Sequence, residues 1–275
     1  MWYYLIRIID KPRPMEQQYT EKFFKEGSVP CEEKTVFVLA TPASPTKKIV
    51  LLIHGFLSHK DSETNLSLTT FFLEQGIATI RLDLFGHGES DGPFLNLSLS
   101  RCLTQVTGLI GWIKKNGYEK IAIVGSSFGG LIAIHTAASH PEIVTLALKC
   151  PVSNYPPLWH DPLGEDGMAD WKERGSFSFV SDGKKVKLGY DFYADLLKYN
   201  TYRDVARIAV PTLIVHGDAD DDVPVDQSIR LIETLLLPAS KKRLDMISGA
   251  DHMFEKPADF NQMVKQISEW VVRFI

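Results

Sequence analysis

Residues 121–130 read Ile-Ala-Ile-Val-Gly-Ser-Ser-Phe-Gly-Gly. A β-branched run leads into two adjacent serines and a pair of glycines. The helix-period run Leu131-Ile132-Ala133-Ile134-His135 follows. The pattern predicts a strand, a tight turn and a helix. A serine presented on such a turn holds a strained backbone, and the residues two places to either side of it are pressed together. Ser127 has Gly125 and Gly129 at those places, whereas Ser126 has Val124 and Phe128, which would clash. Ser127 is therefore the candidate nucleophile. Gly130 is expected to let the helix pack closely on the sheet. No Lys-Ser or Lys-Thr closes the glycine run, which argues against a phosphate-binding loop.

Outward from this turn, short β-rich runs alternate with longer helix-period segments. The runs 49–53, 77–80, 121–124, 144–148, 212–215 and 244–247 are candidate strands, several of them continuously apolar. Strands covered on both faces read this way. Phe23-Phe24 and Val36–Leu39 are close enough to pair as an antiparallel opening. Leu99, Cys102, Leu103, Val106, Leu109, Ile110 and Ile113 keep helical spacing on one face. The expected fold is α/β, with an eight-stranded, mostly parallel sheet flanked by helices in a single domain, 1–275.

From 153 to 206 the alternation breaks. Ten of these 54 residues are aromatic, against 11% of the whole chain. Ser181-Asp182-Gly183-Lys184 reads as a hairpin turn between Phe177–Val180 and Val186–Leu188. A connection this long needs structure of its own, so the segment is expected to be a small cap inserted over the sheet. Its aromatic rings have two uses, lining a pocket over Ser127 or docking the insert.

A serine hydroxyl needs a base to take its proton and an acid to orient that base. On a sheet of this kind the order along the chain is serine, acid, histidine. His252 follows the last strand and is the only histidine beyond His216, so it is the candidate base. His216 precedes a glycine at another strand end and is expected to be hydrogen-bonded into its loop. The acid is not singled out by periodicity, because Asp218, Asp220, Asp221 and Asp222 crowd one loop. One of them at most can be buried beside the base.

Composition narrows the function classes. Thirty basic against 34 acidic residues leave a formal charge of −4, with no basic tract to suggest nucleic acid. The three cysteines, Cys31, Cys102 and Cys150, are isolated, so neither a disulfide framework nor a zinc site is expected. That usage fits a reducing, cytoplasmic location. Trp2–Ile6 is apolar but interrupted by Arg7, far short of a membrane span, and stable membrane insertion is not expected. No cofactor or metal is expected, and His54 and His87, beside glycines in turns, are read as structural.

These motifs together resemble the α/β-hydrolase superfamily over nearly the whole chain. His54-Gly55-Phe56 is similar to the family's oxyanion loop. Asp83-Leu-Phe-Gly86-His87-Gly88-Glu-Ser90 resembles its Asp-x-x-Gly-x-Gly-x-Ser loop, and Gly125–Gly129 its nucleophile elbow. Gly217-Asp-Ala-Asp220-Asp-Asp-Val223-Pro224 resembles Gly-x-x-Asp-x-x-Val-Pro, which singles out Asp220 as the acid. Gly249-Ala-Asp-His252 resembles the Gly-x-x-His turn. The resemblance implies an oxyanion hole made by the backbone N–H groups of Phe56 and Phe128, where each donor contributes about 3–4 kcal/mol. The length of the insertion, its hairpin and Tyr190–Leu197 look similar to small cinnamoyl or feruloyl carboxylesterases. Those enzymes often carry Gln after the nucleophile, where this chain has Phe128; the backbone donor is unaffected.

The expected function is a serine carboxylesterase acting on a small-molecule ester through an acyl-enzyme. A thioesterase, a small serine peptidase and a non-catalytic binding protein on the same scaffold are the alternatives. A dehalogenase would need Asp at position 127, and a prolyl-oligopeptidase type would need a large extra domain.

Overall fold

The computed structural model describes residues 19–25, 34–181 and 183–275; Trp2–Ile6, Cys31 and Asp182 lie outside them. Eight strands form one sheet: β1 (Tyr19–Lys25), β2 (Lys34–Ala40), β3 (Lys48–Ile53), β4 (Ala78–Leu82), β5 (Lys120–Ser126), β6 (Ile143–Lys149), β9 (Thr212–Gly217) and β10 (Lys242–Ile247). Their spatial order is β1-β2-β4-β3-β5-β6-β9-β10. Only the β1–β2 and β2–β4 pairs are antiparallel. The expected antiparallel opening runs in continuous register from Tyr19 opposite Ala40 to Lys25 opposite Lys34.

The continuously apolar strands are explained by what covers them. Along β3, Ile49, Leu51 and Ile53 enter one core, and Val50 and Leu52 enter the other. Side chains alternate faces along a strand, so a strand covered on both sides must be apolar at every position. One face is covered by α1 (Glu63–Glu74) and α8 (Pro257–Phe274), through Leu68, Phe72, Met263 and Ile267. The other is covered by α2 (Leu99–Lys115) and α3 (Phe128–Ser139). The α2 stripe is buried as its spacing predicts, except that Leu103 is half-buried. The Ser98 side chain caps α2 by accepting from the Arg101 N–H. Helix α3 is buried from Phe128 to Ala137, with only His135 and Thr136 polar in that stretch, because it is sandwiched between the sheet and the insertion.

Residues 153–206 lie between β6 and β9. They form α4 (Tyr155–Arg174), the hairpin β7 (Ser176–Ser181) and β8 (Lys184–Gly189), α5 (Tyr190–Leu196) and α6 (Thr201–Val205); α7 (Asp226–Thr234) follows β9. The hairpin falls where the turn residues place it. Helix α4 is broken at Gly164 (φ 63°, ψ 178°), just after Pro162. Two carboxylates, buried Asp195 and half-buried Asp204, anchor the C-terminal part of the insertion. Asp195 accepts from the Ser100 N–H (2.8 Å) and hydroxyl (2.7 Å) at the start of α2, and Asp204 bonds His135 Nδ1 of α3 at 2.9 Å.

Candidate active site

Five loops leave the C-terminal ends of β3, β5, β6, β9 and β10 and converge on one side of the sheet. Ligand sites of open α/β sheets form there. The β5–α3 turn holds Ser127 at φ 52°, ψ −118°, a conformation that a non-glycine residue keeps only when its surroundings impose it. Those surroundings are backbone. A Cβ on Gly125 would stand 2.4 Å from the Gly129 carbonyl oxygen, and one on Gly129 would stand 2.4 Å from the Ile53 and His54 carbonyls. A Cβ on Gly130 would meet Pro151 at 2.7 Å, so this glycine fits the helix against the loop after β6. Val124 and Phe128, the neighbours of Ser126, are buried bulky side chains with no such approach.

The β9–α7 loop resolves the crowd of aspartates. Asp220 Oδ2 accepts from His252 Nδ1 at 2.7 Å, and its Oδ1 accepts from the Asp222 and Val223 N–H groups at 2.9 and 2.8 Å. Asp218 instead holds the Gly249 N–H, and Asp221 is exposed. A second histidine also reaches the acid. His216 Nε2 lies 3.1 Å from Asp220 Oδ2 and 3.1 Å from the Val223 carbonyl. A carbonyl can only accept, so Nε2 carries the hydrogen and Nδ1 accepts from the Ser228 hydroxyl at 2.6 Å. His216 is hydrogen-bonded into its loop as expected; its contact with the acid was not legible in the sequence.

Burial alone would raise the Asp220 pKa. The hydrogen bonds from His216 and His252, the charge of His252 and the Val223 N–H outweigh it and hold the carboxyl well below the usual carboxylate range. Cys150 adjoins this carboxylate, and burial pushes its thiol up to about 12. Ligand atoms of Cys150, His216 and Asp220 lie within 4.8 Å of one another. The protonated thiol and the donating imidazole make this set a hydrogen-bond network around the acid.

Because the Asp220 carboxylate accepts only, His252 Nδ1 is the donor and Nε2 remains to accept a proton. Ser127 Oγ makes no hydrogen bond to His252 among the described residues. The two are connected through Lys149, whose carbonyl accepts the Ser127 N–H and whose Nζ donates to the His252 carbonyl, both at 2.9 Å.

Phe56 and Phe128 bracket the nucleophile. The β3 loop passes so close that a Cβ on Gly55 would lie 3.2 Å from Ser127 Cβ, and Phe128 opens α3. Neither the Phe56 nor the Phe128 amide donates to another described residue. Both neighbouring histidines have structural partners. His54 Nε2 accepts from the Leu84 N–H, and His87 Nε2 accepts from the Leu57 N–H. Burial, with His87 beside it, holds His54 well below the ordinary imidazole value; burial brings His87 down to about 4.

The ten aromatics of the insertion divide three ways. Tyr155, Trp159, Phe179 and Phe192 gather on Phe56, with ring centroids 5.7–6.5 Å from it. Phe177, Tyr190 and Tyr193 pack around the buried Trp171. Tyr199 and Tyr202 bond the Ser100 and Ser153 hydroxyls. The second and third groups dock the insertion, and the first covers the candidate oxyanion loop.

An elbow serine on a doubly covered parallel sheet, followed along the chain by an acid–histidine pair, defines an α/β hydrolase. The model of the alpha/beta hydrolase family matches residues 50–263, and the chain belongs to that family. It is 23% identical over 229 residues to the mitochondrial palmitoyl-protein thioesterase ABHD10 of Rattus norvegicus, covering 81% of this chain and 74% of that one. It is 25% identical over 272 residues to a 2-hydroxy-6-oxo-6-(2'-aminophenyl)hexa-2,4-dienoic acid hydrolase of Metapseudomonas resinovorans, covering 89% of each. Among solved structures, Est1E of Butyrivibrio proteoclasticus with bound ferulic acid superimposes with a TM-score of 0.77 at 24% identity, over 88% of this chain and 96% of that one. No helix of the described residues is long and apolar enough to cross a membrane.

Proposed function

We propose that the chain is a serine carboxylesterase that cleaves small to medium acyl or aryl esters through an acyl-enzyme intermediate. Ser127 Oγ attacks the acyl carbon while His252 Nε2 takes its proton, and Asp220 holds the imidazole in that tautomer. The developing oxyanion is met by the Phe56 and Phe128 N–H groups at the positive end of α3. His252 then protonates the leaving alcohol, and water, activated by the same imidazole, releases the acid. The insertion acts as a cap, and its four rings over Phe56 favour an apolar or aromatic acyl group. We place it in the cytoplasm, in keeping with the three isolated cysteines of the sequence.

The observation that carries this reading is the strained Ser127 backbone, gripped by the glycine contacts on either side of it. Thioester cleavage would use the same residues, and it is favoured by the thioesterase named among the relatives. The test is pre-steady-state hydrolysis of p-nitrophenyl butyrate and of its thiophenyl analogue. An initial burst equal to the enzyme concentration, lost in Ser127→Ala, is expected with the ester. A burst only with the thioester would move the assignment to a thioesterase. No turnover of either by folded protein would sink the hydrolase mechanism.

A further inference from the structure

Lys149 is the last residue of β6, opposite Ser126 of β5 on one side and Val215 of β9 on the other. It is only 5% exposed. Its main chain serves the elbow and its side chain serves the base, because the carbonyl takes the Ser127 N–H and Nζ gives a hydrogen bond to the His252 carbonyl. The ammonium also stands over the Phe254 ring, 5.1 Å from its centroid, in the same loop. It forms no direct ion pair among the described residues. Around it lie the carboxylates of Asp220 and Asp222 from the β9–α7 loop, Asp251 from the His252 loop, and the Cys150 thiol. Asp221 borders Asp222, and His216 occupies the far side of Asp220.

A buried ammonium whose one hydrogen bond goes to a neutral carbonyl is a poor device for stability, since an apolar side chain of the same length would fill the space without a desolvation cost. We infer that Lys149 is a positioning residue for His252: it fixes the height of the base relative to Ser127. This rests on the serine-hydrolase reading above. The elbow and the base loop come from strands that are not neighbours, and Lys149 spans them from the edge of β6. Burial pulls the Lys149 pKa down, and Cys150, Asp220, Asp251 and Asp222 offset this only in part.

Two substitutions test this. Lys149→Gln can still donate to the His252 carbonyl; Lys149→Met keeps the apolar stem and loses the donor. The readout is kcat and KM for p-nitrophenyl butyrate, taken separately, alongside circular dichroism. Lys149→Met should lose at least tenfold in kcat with KM little changed, and Lys149→Gln should lose less. An unchanged kcat in folded Lys149→Met, or an equal loss in both variants, overturns the inference. Should Lys149→Met fail to fold, Lys149→Leu takes its place in the same comparison. Fluorophosphonate labelling of the wild type is run in parallel: absence of labelling rejects the serine-hydrolase reading itself, whereas labelling with an unchanged kcat in Lys149→Met rejects only the part assigned to Lys149.

Discussion

Gly125 and Gly129 meet backbone to backbone beneath the candidate nucleophile, so closely that a single methyl group on Gly125 would stand 2.4 Å from the Gly129 carbonyl oxygen and 2.7 Å from Ala133 Cβ. This approach, one turn of helix against the end of a strand, is what turns Ser127 outward at positive φ.

The contact makes Gly125→Ala costly. Neither the carbonyl nor the first turn of α3 can move without shifting the sheet, so a loss of about 1–3 kcal/mol in denaturant unfolding is expected. Ester hydrolysis should fall by far more than the fraction unfolded, because the displaced backbone carries Ser127. Ser126→Ala, at the neighbouring serine, should retain most activity. Equal activity in Gly125→Ala and wild type would remove the steric basis for the elbow.

Asp220→Asn is expected to lower kcat by on the order of 10⁴, as removal of the orienting carboxylate does in serine proteases. Asp221→Asn and Asp222→Asn should fall by less than tenfold, because neither carboxylate bonds the imidazole. Asp218→Asn should act mainly on stability, through the Gly249 N–H it holds. Steady-state kinetics on the four variants decides; a crippled Asp222→Asn with an active Asp220→Asn would reassign the acid.

How far the sequence could be read depended on whether a residue's role is local. The strained turn at Ser127 was legible because its constraint lies two residues away on either side. Alternation along β3 and the stripe on α2 were legible for the same reason. Asp220 was not separable from its neighbours by residue type; only the spacing shared with known hydrolases distinguished it, and it is the aspartate that bonds His252, at 2.7 Å. Lys149 left no signal, since its side chain meets a carbonyl 103 residues further on. Helix α4 was illegible too. Pro162, Gly164 and Gly167 contradict a continuous helix locally; the chain breaks at Gly164, and burial of Tyr155, Met168 and Trp171 against the core holds the two halves.

Acid lability should follow from the buried histidines. Burial holds His54 and His87 below the ordinary imidazole value, His87 at about 4, so between about pH 6.5 and 4 the unfolded chain binds more protons than the folded one. Stability is therefore full above pH 6.5 and declines as pH falls through that window. His87 alone accounts for about 3 kcal/mol of the decline. Urea unfolding at pH 7.5 and pH 4.5 measures it, and His87→Gln should flatten the difference. An equal slope in the variant would show that the His87 proton is not linked to folding.

The four rings over Phe56 make specificity testable without removing the insertion, whose Trp171 is fully buried and whose loss would expose the core. Phe179→Ala and Trp159→Ala each remove a ring lying within 6.5 Å of Phe56. Both should lower kcat/KM for cinnamoyl and octanoyl esters about tenfold relative to the acetyl ester. An unchanged ranking of acetyl, butyryl, octanoyl, palmitoyl and cinnamoyl esters in the folded variants would confine these rings to docking.

The most direct test of the central assignment is intact-protein and peptide mass spectrometry after incubation of the native chain with a fluorophosphonate. One adduct per chain is expected, on Ser127, at a rate that collapses in His252→Ala and disappears in Ser127→Ala. A native chain that stays unlabelled, or an adduct on Ser126 with Ser127 unmodified, contradicts it.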